Sequence, residues 1–242
     1  KKSGDKCNMK KKITSYIANK YTNEDDAMII MDLKIDNFLA FKNFHMNMAY
    51  PKKIVNSYIP NEHLKDRSNF RYKKVNILMG SNATGKTSIG KMLMAICNFM
   101  KRKDVLGLID KVADLEKEAT ISIDFVGKSF KMYRLDIEIQ PGMDDENLPE
   151  IFVCKRIVTI EEKDRYETCA KKIENMPQKY TDDYKSELQN IEPIGWMFTY
   201  PSDMGNEPMS LPDDKAFIEV LNYTLKALDP AIIRVDRSNE VK

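Results

Sequence analysis

One run of residues has the types and spacing needed to hold a phosphate: Gly80-Ser81-Asn82-Ala83-Thr84-Gly85-Lys86-Thr87. It fits G-x-x-x-x-G-K-[ST], the phosphate-binding loop. Two glycines let such a backbone wrap close to an anion without a Cβ clash. Successive N–H groups then converge on phosphate oxygens at a helix N-terminus, where the macrodipole favours negative charge. The dipole alone contributes only ~0.3–1 kcal/mol at an exposed site, so most affinity has to come from the aligned donors and the lysine. Lys86 is expected to reach the β- and γ-phosphates as a point charge. The Thr87 hydroxyl is expected to ligate Mg²⁺. The nucleotide-binding set is therefore Gly80, Ser81, Asn82, Ala83, Thr84, Gly85, Lys86, Thr87 and the following Ser88. A chance match in a chain of this length arises about once in a hundred sequences of ordinary composition.

A loop of this kind works only between a buried strand and a helix. The apolar run Val75 to Met79 reads as the strand, buried on both faces. From Gly85 onward, Ile89, Leu93, Ile96, Cys97 and Met100 recur at helical spacing. Upstream, Met28 to Asp36 alternates as a β-strand, Asn37 to Phe41 makes a turn, and Phe44 to Met48 forms a second strand. Residues 50 to 72 read as a long polar loop. Helical patterning resumes over Val105 to Glu118, and three β-rich runs follow: Ala119 to Val126, Phe130 to Ile139 and Ile151 to Ile160. Residues 164 to 192 read as charged helix. After a Pro/Gly-rich passage, Asp213 to Leu228 reads as an amphipathic helix and Ile232 to Asp236 as a strand. The expected organisation is a basic lead-in (1–26), a phosphate-loop core (27–104), and a β-rich and helical continuation (105–242).

Composition narrows the class. The chain has 242 residues, 42% of them apolar and 31% charged, with 39 basic and 37 acidic side chains. That suits a globular chain with a real core rather than a disordered one. Near-neutral charge gives no case for a protein that coats nucleic acid or membrane. No apolar stretch approaches the ~20 residues needed to span a bilayer, and without an apolar run among the first residues no secretory signal is expected. Four scattered cysteines without a CxxC pair point to neither a disulfide scaffold nor zinc. A cytoplasmic location is the expectation.

Two further features give a resemblance. Asn82 makes the loop G-x-N-x-x-G-K-T, and Leu33-Lys34-Ile35-Asp36-Asn37-Phe38-Leu39-Ala40-Phe41-Lys42-Asn43-Phe44 stands upstream of it. Over residues 28 to 100 this resembles the opening of the ABC-type heads of RecF, SMC and OLD-like ATPases. It looks most like the bacterial AAA family ATPases of the OLD/RecF type, linked to phage defence or DNA metabolism. The resemblance implies an α/β P-loop NTPase fold: an ABC-ATPase-like N-terminal lobe with a mixed β-sheet and an added β/helical portion. It also implies ATP and Mg²⁺ as cofactors, a head-to-head homodimer in the complete protein, DNA as a candidate partner, and no membrane. In such heads the segment after the first strand lies near the base or ribose, here Asn37 to Phe44. Phe38, Phe41 and Phe44 read more simply as core.

Such a head also needs an apolar strand ending in Asp-Glu, an LSxG signature and a switch histidine. No apolar run downstream of Lys86 ends in Asp-Glu. Val105 to Asp110 reads as amphipathic helix, Ile121 to Asp124 as a half-exposed strand, and Arg234 interrupts Ile232 to Asp236. Both histidines, His45 and His63, precede the loop, and LSxG is absent. The chain is therefore expected to hold only the N-terminal part of a head. Gln140, at the end of a β-run, is the positional candidate for the glutamine that touches the metal. Asp144-Asp145-Glu146, Glu161-Glu162, Asp182-Asp183 and Asp213-Asp214 read as solvated loops, and Glu62-His63 lacks HExxH spacing. Trp196, Phe198 and Tyr200 read as packing rather than a base-stacking platform. The expected function is ATP binding, with hydrolysis only in the complete, dimerised protein. A P-loop kinase acting on a nucleotide or small molecule, and a nucleotide-sensing interaction module, are the alternatives.

Overall fold

The computed structural model describes residues 28–50, 62–76, 78, 85–142, 149–191 and 193. All of them fall in one compact unit, Asn23–Trp196. Five strands form its main sheet: β1 (Ile29–Asp36), β2 (Phe44–Asn47), β5 (Ala119–Gly127), β6 (Lys131–Gln140) and β7 (Glu150–Thr159). Their order is β2-β1-β5-β6-β7, and every neighbouring pair is antiparallel. The described fold is thus mixed α/β with an antiparallel sheet, where a mixed sheet is the sequence expectation. The expected boundary at 104/105 runs through this sheet, because β1 from one side pairs with β5 from the other.

Register sorts the side chains into two unlike faces. Leu33, Ile123 and Leu135 stand in one row across β1, β5 and β6, and Ile35, Ile121, Ile137 and Val153 in the next. All seven are buried. The opposite face carries Asp32, Asp124, Arg134 and Arg156 in one row, and Lys34, Ser122, Asp136 and Cys154 in the next. A β-bulge at Met31 lets it join Asp32 on that polar face.

Helix α1 (Lys86–Arg102) buries Ile89, Met92, Leu93, Ala95, Ile96, Cys97, Phe99 and Met100. Each large apolar side chain so buried contributes ~1.5–3 kcal/mol, which is what holds the helix in place. Gly85, at its start, packs near Phe41. At its end, Phe99 meets Tyr184 with ring centroids 5.7 Å apart, and Lys103 donates to the Leu188 carbonyl. Tyr184 opens the short helix α4 (Tyr184–Glu187), which packs on β7, where Lys155 of the apolar face reaches it. Seventeen residues span about 25 Å, enough to cross four strand gaps of about 4.8 Å. The two ends of α1 thus lie beside the turn after β1 and beside α4, which packs on β7.

On the polar face lies α3 (Tyr166–Glu174), with Tyr166, Cys169, Ala170 and Ile173 turned inward. These join Met31, Val126, Met132, Leu64, Phe70 and Tyr72 in a second core. Leu64 and Phe70 come from a hairpin, β3 (His63–Leu64) with β4 (Arg67–Arg71), inside the segment that reads from sequence as loop. Its strands are too short and polar to show alternation. The helical reading of Val105 to Glu118 reduces to α2 (Val105–Ile109), capped by Asp104 accepting from the Gly107 N–H at 2.9 Å. That of 164–192 reduces to α3 and α4. Val75 and Leu78 are exposed and not in a strand, so the expected buried strand does not extend over these described positions. The lead-in 1–26, the helix at 213–228 and the strand at 232–236 lie outside the described residues.

Candidate functional site

The Gly80 to Thr87 run enters the described structure at its second glycine. Gly85 has φ +86°, the left-handed region that favours glycine, and caps α1. Lys86, Thr87 and Ser88 form the first turn. Thr87 is exposed, Lys86 and Ser88 are half-buried, and no acidic residue occupies this turn. The first N–H groups of any helix lack intrahelical partners and carry the positive end of the dipole. A hard hydroxyl oxygen, an ammonium and backbone donors at a helix start form a donor set that suits a Mg²⁺-bound phosphate. Gly80, Ser81, Asn82, Ala83 and Thr84 lie outside the described residues.

The turn after β1 sits beside this helix start. A methyl group placed on Gly85 would lie 3.7 Å from Cε1 of Phe41. Phe41 in turn packs on Phe44 with centroids 4.7 Å apart. Phe38 and Phe41 are buried and Phe44 is half-buried, in keeping with core packing.

Gln140 is the last residue of β6, exposed and opposite Glu150. By alternation with Asp136 and Glu138 it belongs to the polar face of the sheet.

Asp110, Asp183 and His63 each have a neighbouring partner. Asp110 is exposed and bonded to Lys111 at 2.5 Å. Asp183 caps α4 by accepting from the Ser186 N–H. His63 pairs with the Leu64 carbonyl. Among the described residues no cluster of three His, Cys, Asp or Glu could hold a metal ion. The acidic groups at 144–146 and 213–214, and Trp196, Phe198 and Tyr200, lie outside the described residues.

Sequence reasoning missed a buried charge ladder beneath α3. Ile121 to Asp124 does form a strand, but its polar side is covered. Asp124 accepts two bonds from Arg134, at 2.6 and 2.7 Å, and one from the Tyr166 hydroxyl at 2.8 Å. Asp136 accepts from Arg156 at 2.5 Å and from Ser122 at 2.6 Å. Asp32 accepts from Asn47 and lies 2.8 Å from His45 Nε2. Burial, reinforced by the Asp124 and Asp32 carboxylates, pushes the Tyr166 hydroxyl well above the ordinary phenol range. The available signal is cross-strand pairing: Asp124 and Asp136 on one periodicity with Arg134 and Arg156 reads as a laddered face.

The chain matches no known protein family, no curated protein and no solved structure. Among the described residues no helix is long and apolar enough to cross a membrane.

Proposed function

We propose that the chain binds ATP with Mg²⁺ as the N-terminal part of an ABC-type ATPase head of the RecF/SMC/OLD-like class, serving DNA metabolism or phage defence. The observation that carries this reading is the start of α1. The motif's second glycine is left-handed at φ +86°, and the motif's Lys86 and Thr87 open a helix of 17 residues. A glycine turn without a binding role has no need of a lysine and a hydroxyl in that order at a helix N-terminus. In this reading Lys86 engages the β- and γ-phosphates and the Thr87 hydroxyl is a ligand to Mg²⁺, which neutralises phosphate charge when bound. Dimerisation of heads and DNA binding belong to the same proposal and rest on the resemblance over residues 28 to 100.

Neither Asp32 nor Asp124 stands as a base for water attack. Asp32 and Asp124 are each tied up by neighbouring side chains. The chain alone is therefore expected to bind nucleotide weakly and hydrolyse it poorly. Equilibrium dialysis against ATP, with and without Mg²⁺, tests the binding, and a phosphate-release assay tests the turnover. Mg²⁺-dependent binding with negligible release is the expected result. Sustained multiple turnover abolished by Lys86→Ala would contradict the expectation of poor hydrolysis. Phosphate transfer to an added nucleotide acceptor would favour the kinase reading instead.

A further inference from the structure

We propose that the turn Asn37 to Asn43 is a rigid bracket whose Phe41 ring holds Gly85 and the first turn of α1 in place, making Phe41 a positioning residue for phosphate binding. The phosphate-binding part rests on the nucleotide reading above.

Three non-glycine residues of this turn are left-handed: Asn37 at φ 59°, Leu39 at 51° and Asn43 at 51°. Nowhere else among the described residues do three fall so close together. Asparagine tolerates this region, but leucine does so only under constraint. The constraint is visible. The Leu39 N–H donates to the Lys111 carbonyl at 2.8 Å, and the Ala113 N–H donates to the Asn37 carbonyl at 3.0 Å. The Asn37 side chain donates to the carbonyls of Asp114 and Lys117 and accepts from the Asp114 N–H. The Asn43 N–H donates to Asp36 Oδ1 at 2.7 Å. Phe38 is fully buried and bridges to Val112. The turn is thus clamped to the 110–118 segment on one side and to the end of β1 on the other.

What the clamped turn presents is Phe41, whose N–H donates to the Phe38 carbonyl and whose ring lies on the open side of Gly85. A left-handed glycine has the widest backbone freedom of any residue and no side chain to restrain it. A fixed ring on that side restrains it from outside. Ordering the helix start in the free protein removes that cost from ligand binding. Backbone strain persisting beside a phosphate motif is then a consequence of what the turn holds.

The test uses Phe41→Ala, Phe41→Val and Phe41→Leu in the full chain. One readout is amide hydrogen exchange of Ile89 to Met92 without nucleotide, and the other is calorimetric titration with Mg²⁺·ATP. Phe41→Ala should speed exchange there by about tenfold while β5 and β6 amides are unchanged, and weaken Mg²⁺·ATP by about tenfold. Phe41→Val should give a smaller change in the same direction, and Phe41→Leu should stay within about threefold of the parent on both readouts. Unchanged exchange at the α1 start in the Val variant, or an equal rise across β5 and β6, overturns the bracket. Faster exchange confined to the helix start, with no ATP binding by the parent chain, supports the bracket and overturns the nucleotide reading.

Discussion

Arg134 and Asp124 stand opposite each other on β6 and β5 and close a two-point clasp, Nε to Oδ1 at 2.6 Å and Nη2 to Oδ2 at 2.7 Å. Their side chains are 10% and 2% exposed, so neither charge is tolerable without the other. Removing one partner leaves an uncompensated buried charge, whereas replacing the whole set by apolar groups need not destabilise. Arg134→Met should therefore lose about 3–5 kcal/mol in urea unfolding. Adding Asp124→Leu and Tyr166→Phe to it should recover most of that loss. A cost below about 1 kcal/mol for Arg134→Met would show that the clasp is solvated and not part of the core.

Asn37 combines two roles that substitution can separate. Its side chain makes the bonds to Asp114 and Lys117, and its backbone is left-handed. Asn37→Gly removes the bonds while leaving the left-handed backbone free of a β-carbon, and should cost about 1–2 kcal/mol. Asn37→Ala keeps a β-carbon in the left-handed region without the polar side chain that lets asparagine occupy it, and should cost about 1 kcal/mol more than Asn37→Gly. Equal unfolding midpoints for the two variants would contradict the backbone contribution.

Asp164 supplies a pH dependence. Burial acts to raise its carboxyl, but the hydrogen bonds from Lys172 and the Glu161 N–H outweigh it, and the net shift is downward. A carboxyl depressed in the folded state binds its proton more readily when unfolded. Its stabilisation is full above the unfolded value of about 3.9 and fades as pH falls through the folded one. Unfolding free energy should decline below about pH 4, and Asp164→Asn should flatten that decline. An identical acid slope in the variant would assign the dependence to other groups.

The described cysteines are protected. Burial pushes the Cys97 and Cys169 thiols up to about 12, and burial raises Cys154 as well. Since the thiolate is the nucleophile, alkylation of the native protein at pH 8 should leave Cys97, Cys154 and Cys169 unmodified by peptide mass mapping. Labelling as rapid as in denaturant would mean that these positions open readily.

Much of the local structure was legible because its periodicity was undisturbed. The alternation in Ala119 to Val126, and the 3.6-residue spacing of Ile89, Leu93, Ile96 and Met100, correspond to β5 and to the buried side of α1. Val75 and Leu78 were not legible, since an apolar run looks alike whether buried or exposed. The hairpin His63–Leu64 with Arg67–Arg71 was hidden because only Leu64, Phe70 and the following Tyr72 reach the core. At the candidate site the motif was readable from residue types and spacing, and its chemistry is proposed from them. The contact of Phe41 with Gly85 depends on tertiary placement and could not be read from spacing.

The central claim is nucleotide binding through the phosphate loop, and Lys86 tests it most directly. Isothermal titration of the full chain with Mg²⁺·ATP, beside Lys86→Ala of verified fold, isolates the lysine's share. Saturable binding by the parent, weakened at least tenfold in the variant, about 1.4 kcal/mol or more, is the predicted result. Equal affinity in both proteins, or no heat in either at millimolar ATP, would contradict it.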